Sequence, residues 1–310
     1  MIGALFGILA ALSWGGGDFA GGLASRRLPT LIVVVVSQAA ALAILAPLAI
    51  GFGGALPDGR DAIATAIAGI AGGAGVVLLY HGFAHGRISI VASIAGTIAA
   101  LIPVGFSIVS GNIPTPLRLV GFALAIVSIV IVSATGDDSS GDADHQSSGS
   151  AARGGAIYGL VAGLCFATFS LVFSTTTTGG TIWLLALLRV ASVAALVALF
   201  AAAAIVGRRP PGAEPIRDGA IPATFAGRIR IALLLVVAGS GDSLGNLFFL
   251  LSSQESGVAV AAVFTSIAPV TTVLFAAVLL GERVRPAQGI GIALAAIATI
   301  SIALGGISPS

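Results

Sequence analysis

Three ionisable residues lie inside apolar stretches of this sequence: Asp18, Arg189 and Asp242. A charged side chain at mid-bilayer costs at least ~2.5 kcal/mol on insertion scales, so each is a functional candidate by default. Asp242 and Asn246 are four residues apart and share one helix face, giving a polar stripe able to line a cavity. Trp14, Gln38 and Tyr80 stand in other apolar stretches and can add hydrogen bonding or stacking. The chemistry these residue types permit is reversible. A buried carboxylate, Asp242 or Asp18, takes up and releases a proton, while Arg189 holds a solute carboxylate or pairs with Asp242. Burial disfavours a charged carboxylate and a nearby arginine favours it, so protonation depends on whether that pair is made. The structural alternative is an ion pair or polar contact that only holds helices together.

Other chemistries find less support. His81 and His85 are four residues apart and could share a metal ion, but the sequence places no further ligand near them. They read as interfacial residues at a helix end, and no metal site is expected. Gly15 to Asp18 and Gly239 to Asp242 each spell G-x-G-D, the pattern of intramembrane aspartyl proteases, yet a chain with 43 glycines produces it easily. A sensor or scaffold without transport is a third class, in which intramembrane charges would have little purpose. No phosphate loop, H-E-x-x-H or nucleophile elbow occurs, and no cofactor is expected. The single cysteine, Cys165, excludes an intrachain disulfide. All 14 basic residues are arginine, and none forms a cluster interleaved with aromatics, so nucleic acid is not an expected partner. The expected partners are a small-molecule substrate and the lipid bilayer, and a homodimer is compatible with the sequence.

The elements that must position these residues are membrane helices. The chain is 57% hydrophobic and 8% charged, with mean hydropathy +1.11, far from the composition of a water-soluble domain. Apolar runs long enough to cross a hydrocarbon core predict helices near 2–23, 30–52, 62–84, 88–110 and 117–135, and again near 154–175, 180–206, 229–251, 257–280 and 286–306. Residues 136–153, with four aspartates among serines and glycines, read as a solvated linker. Pro103 and Pro269 fall inside helices, where each frees a backbone carbonyl and bends the axis.

The halves, 2–135 and 154–306, look like copies. GALFGILAAL at 3–12 aligns with GAIYGLVAGL at 155–164 at an offset of 152. Beyond the second helix the offset becomes 170, placing Gly69 on Gly239, Pro116 on Pro286 and Gly121 on Gly291. The difference of 18 residues (170 − 152) is one insertion in the 207–228 loop. Five is an odd number of spans, so the second copy must lie inverted in the membrane. The expected fold is therefore an all-α integral membrane protein of ten transmembrane helices in two inverted five-helix repeats. Such repeats build carriers that rock around a fixed site, exposing it to alternate sides.

The sequence resembles the EamA family of the drug/metabolite transporter superfamily over nearly its whole length. The most specific stretch is Ile267 to Leu294, with Pro269, Gly281, Glu282, Gly289 and Gly291 matching the family's ninth helix, its Gly-Glu end and the start of its tenth. Arg189 is similar to an arginine often carried in the second helix of a repeat, and Leu12 to Gly15 to the first-helix pattern. The first half departs from the pattern: Asn112 stands in the place of Glu282, and Ser37 in the place of Arg189. Glu282, beside Arg283 and Arg285, reads as a structural helix end. The resemblance implies export or exchange of metabolites, amino acids or drugs across the cell membrane.

The odd-numbered loops carry eleven arginines and the even-numbered loops two. By the positive-inside rule the odd loops are cytoplasmic and both termini lie outside, whereas the family resemblance implies cytoplasmic termini. A reporter fused to the C-terminus and active only in the cytoplasm separates the two; the charge bias predicts that it is silent.

Overall fold

The structure, a computed structural model, describes residues 2–86, 88–109, 115–134, 145–207, 212–214, 216, 220–256, 261, 268–280 and 286–304. Among them are ten helices and no strand. The first half holds α1 (Ile2–Ser25), α2 (Thr30–Phe52), α3 (Gly59–His85), α4 (Ile88–Val109) and α5 (Pro116–Ala134). The second holds α6 (His145–Phe173), α7 (Thr181–Ile205), α8 (Phe225–Ser256), α9 (Ala268–Leu280) and α10 (Pro286–Leu304).

Their limits follow the chemistry of the chain. Asp58 caps α3 by accepting a hydrogen bond from the Asp61 N–H at 2.7 Å. Pro29 precedes α2, and Gly180, in extended conformation, precedes α7. Some helices outrun the expectation, among them α8, expected near 229–251 and found at Phe225–Ser256. α6 begins at His145, inside the stretch expected to be linker, because a helix anchored by packing extends at little cost once nucleated. Residues 136–144 and most of 257–267 lie outside the described residues. Pro103 is inside α4 as expected, and Pro47 is a further proline inside α2. Pro269 is the second residue of α9, and the turn a kink there would bend lies outside the described residues.

Among the described residues, five helical stretches are long and apolar enough to cross a membrane by length and composition: α2, α3, residues 155–173 of α6, α7 and residues 225–255 of α8. Exposure is inverted relative to a water-soluble protein. Ile50, Phe52, Val109 and Ile205 are more than three-quarters exposed, while Gln38, Asp61, Arg189 and Asn246 are buried. Such a continuous apolar exterior calls for lipid.

The packing obeys the exchange that the repeat demands. α1 packs on α8 as α6 packs on α3; α4 meets α6 as α9 meets α1; α3 crosses α7 as α8 crosses α2. Three further pairs, α2 with α7, α4 with α9 and α5 with α10, join equivalent helices of the two halves. The loops agree. Leu31 N–H at the start of α2 donates to Gly212 O of the α7–α8 loop at 2.9 Å, and the end of α3 faces Glu214 of that loop. At the opposite end Gly180 N–H donates to Ala55 O at 2.8 Å, joining the α2–α3 and α6–α7 connections. Odd loops thus gather at one end and even loops at the other.

The repeat-equivalent glycines Gly69 and Gly239 sit at equivalent crossings. A Cβ on Gly69 would lie 2.5 Å from Leu188 O of α7, and one on Gly239 would collide with Ser37 O of α2. Both partners are backbone, which cannot swing aside. Gly69→Ala and Gly239→Ala are each expected to destabilise the detergent-solubilised protein by roughly 1–3 kcal/mol, the usual cost of overpacking. Gly51→Ala, where a Cβ meets nothing within 4 Å, serves as the control and should leave the melting temperature unchanged or higher.

Candidate functional site

α2, α7 and α8 converge where the second helices of the two halves meet, and the polar residues of all three point into that junction. Arg189 on α7 is 4% exposed and Gln38 on α2 is 2% exposed. Arg189 Nη1 donates to Asp242 Oδ2 at 2.5 Å and also to Gln38 Oε1. The Gln38 side-chain N–H closes the triangle by donating to the same Asp242 Oδ2 at 2.8 Å. The amide therefore turns its acceptor to the guanidinium and its donor to the carboxylate, the one orientation that satisfies both. Stripping either charged partner from such a pair leaves the other desolvated, at a cost of about 3–5 kcal/mol.

One turn along α8, Asn246 Oδ1 accepts from Trp14 Nε1 of α1 at 3.1 Å, and the Trp14 ring lies 5.8 Å from that of Phe249. Tyr80 on α3 donates its hydroxyl to Gly17 O at 3.3 Å and stands beside Asp18. Asp18 in turn neighbours Asp242. The seven residues singled out in the sequence, from α1, α2, α3, α7 and α8, thus form one polar cluster: Trp14, Asp18, Gln38, Tyr80, Arg189, Asp242 and Asn246.

The two G-x-G-D patterns gain a packing reason here. A Cβ on Gly241 would lie 2.7 Å from Ser13 O and 2.8 Å from Gly17 Cα, so the glycine before each aspartate forms the α1–α8 contact. Close approach of these backbones is what sets Asp18 and Asp242 near each other.

Arg189 is only partly used. Among the described residues, its Nε and Nη2 have no hydrogen-bond partner, although both are buried. Ser192, one turn on, and Ser243, next to Asp242 in the chain, each have a buried hydroxyl oxygen without a partner among the described residues. Buried donors are ordinarily satisfied, so the two open nitrogens of this guanidinium mark a place for a ligand or water.

The sequence pattern of the EamA-like transporter family matches residues 1–134 and 153–304, one match on each half. The chain belongs to the EamA-like transporter family. Its fold is that family's, an all-α membrane fold of ten helices in two inverted five-helix repeats. A solved structure described as "Crystal structure of protein" shares the fold at 14% identity, with a TM-score of 0.61 over 97% of this chain and 98% of that one. No curated protein matches the chain in sequence. Of the residues that carried the resemblance to EamA, Gly281 and Glu282 lie outside the described residues. Arg189, Trp14 and Gly15 are in the cluster or against it.

Several polar residues of this EamA protein were not legible as important. Thr272 of α9 donates to Gly15 O at 3.3 Å, so the Gly15–Gly17 segment of α1 receives side-chain donors from two sides. Asp61, 1% exposed, accepts from the N–H groups of Thr177 and Thr178 at 2.8 and 2.7 Å and from the Thr178 hydroxyl at 2.8 Å. It ties α3 of the first half to the α6–α7 connection of the second. The run of four threonines at 175–178 was the available signal, since such a run at a helix end supplies donors in several directions.

Proposed function

We propose that this EamA protein is a secondary-active carrier of the cell membrane that exports a small metabolite, amino acid or drug-like solute by alternating access. The observation that carries the reading is the half-used guanidinium of Arg189, buried where the two halves meet. Its open Nε and Nη2 form the fork that takes a carboxylate or another acceptor in two parallel hydrogen bonds. Nη1 meanwhile stays on Asp242, so the solute binds a site whose net charge is already compensated.

Proton coupling follows from the same pair. Protonation of Asp242 removes the charge that holds Nη1, and Asp18, next to it on α1, is the second carboxylate through which a proton can pass. A solute anion on Nε and Nη2 and the Asp242 carboxylate on Nη1 then share one guanidinium, so a proton on Asp242 changes how strongly the solute is held. The protease alternative fits less well, because an aspartyl dyad shares a proton between two carboxyls, whereas Asp242 is engaged by Arg189.

The test is an untargeted comparison of medium and cytosolic metabolites in cells expressing wild type, Asp242→Asn or Arg189→Ala at matched membrane levels. A solute depleted from the cytosol and enriched in the medium by wild type alone is the expected result, with at least a tenfold loss of transport in either variant, the scale for removing one hydrogen-bonded charge. Wild-type transport that persists in Arg189→Ala would place the site elsewhere.

A further inference from the structure

A second cluster lies at the end where the odd loops gather. His81 and His85 stand one turn apart on α3, and the fold brings Glu214 to them from the α7–α8 loop, the very segment that carries the insertion in the second half. One ligating atom from each of the three lies within 4.8 Å of the others. Among the described residues His81 Nδ1, which is buried, has no hydrogen-bond partner, and the nearest Glu214 oxygen is 3.8 Å away. That separation is too long for a hydrogen bond. It is close to the edge of a tetrahedron of ligands around a metal, about 3.4 Å when each metal–ligand distance is about 2.1 Å.

The surroundings hold these groups in place. His85 donates its Nδ1–H to His81 O at 2.9 Å, which fixes the tautomer and leaves Nε2 as its unprotonated nitrogen. The His81 ring is set edge-on against Tyr158 at 4.6 Å, and lies 4.1 Å from the His85 ring. Glu214 follows a turn at Gly212 whose φ of +83° falls in the left-handed region, and the Gly212 N–H donates to Glu214 Oε1 at 3.3 Å. Gly212 O is itself held by Leu31 N–H at 2.9 Å. The glutamate is thus tethered but exposed, free to close the remaining gap.

We propose that His81, His85 and Glu214 bind one divalent transition-metal ion of the zinc class, clamping the α7–α8 loop onto the end of α3. Two imidazoles and a carboxylate suit zinc and its neighbours over magnesium or calcium, which favour all-oxygen sites. Three protein ligands leave a fourth position for water. The proposal is independent of the carrier reading, because the cluster lies at the end of α3 and shares no residue with the Arg189 network.

The full chain, purified in detergent with a tag that contains no histidine and stripped with chelator, is titrated with Zn²⁺ by calorimetry. Co²⁺ then serves as a spectroscopic probe through its visible absorption. Wild type should bind one equivalent and give the intense bands of a four-coordinate Co²⁺ site. Glu214→Gln, a loop substitution that leaves the helices intact, should weaken binding by at least about tenfold, and His85→Ala should remove it. His145→Ala, which alters the only other histidine of the chain, should bind like wild type. Melting temperatures of the metal-free variants confirm folding. No binding by wild type, or equal binding by wild type, Glu214→Gln and His85→Ala, overturns the proposal.

Discussion

A guanidinium keeps its charge at any accessible pH, so an arginine placed inside a helical bundle in lipid must be held by a counter-charge or not be there at all. In this EamA protein Asp242 supplies the counter-charge and Gln38 braces both groups. Three helices have to come within side-chain reach at one point for that triangle to close. The glycines make it possible: Gly239 lets α8 lie on α2, Gly69 lets α3 lie on α7, and Gly17 with Gly241 brings α1 against α8. Small residues are what membrane helices use for close approach, because lipid offers no hydrophobic drive to press them together. The buried charge and the glycine crossings are therefore two sides of one constraint.

The same absence of a hydrophobic drive shapes the ends of the molecule. Hydrogen bonds fasten the halves there: Asp61 to Thr177 and Thr178 at one end, Leu31 to Gly212 at the other. In an alternating carrier such contacts have to open in turn, and a few hydrogen bonds, each worth about 1–3 kcal/mol net, can be broken and remade one by one. A packed apolar interface of the same extent could not. The proposed cycle thus places its strongest interaction in the middle, where it is exchanged for solute or proton, and its weaker ones at the two faces.

Much of this was legible in the sequence, for physical reasons that differ from residue to residue. The repeat could be read because GALFGILAAL and GAIYGLVAGL are packing surfaces, and helices that must meet equivalent partners keep equivalent small residues. Asp242 and Asn246 could be read as a stripe because helical period alone puts them on one face. Their partners could not be assigned: that Asn246 takes Trp14 while Asp242 takes Gln38 depends on the sliding register between α8 and its neighbours, which backbone contact at Gly239 and Gly241 sets. Asp61 was missed because its distant bonds leave no trace in local pattern; beside Asp58 it looks like an ordinary acidic helix start. The third member of the histidine cluster was hidden for the same reason, since Glu214 is over a hundred residues away in the chain and reaches His81 only through the turn at Gly212.

The proposed carrier requires the Arg189 and Asp242 pair to act in transport and to be more than a rivet between helices. The neutral double variant Arg189→Met with Asp242→Leu separates the two, because replacing a buried ion pair by apolar residues of similar size is often neutral or stabilising. Its melting temperature and its transport of the solute that wild type exports are measured side by side. The account predicts a variant that folds as well as wild type and carries nothing. Full stability together with wild-type transport would contradict it and reduce the pair to a structural contact.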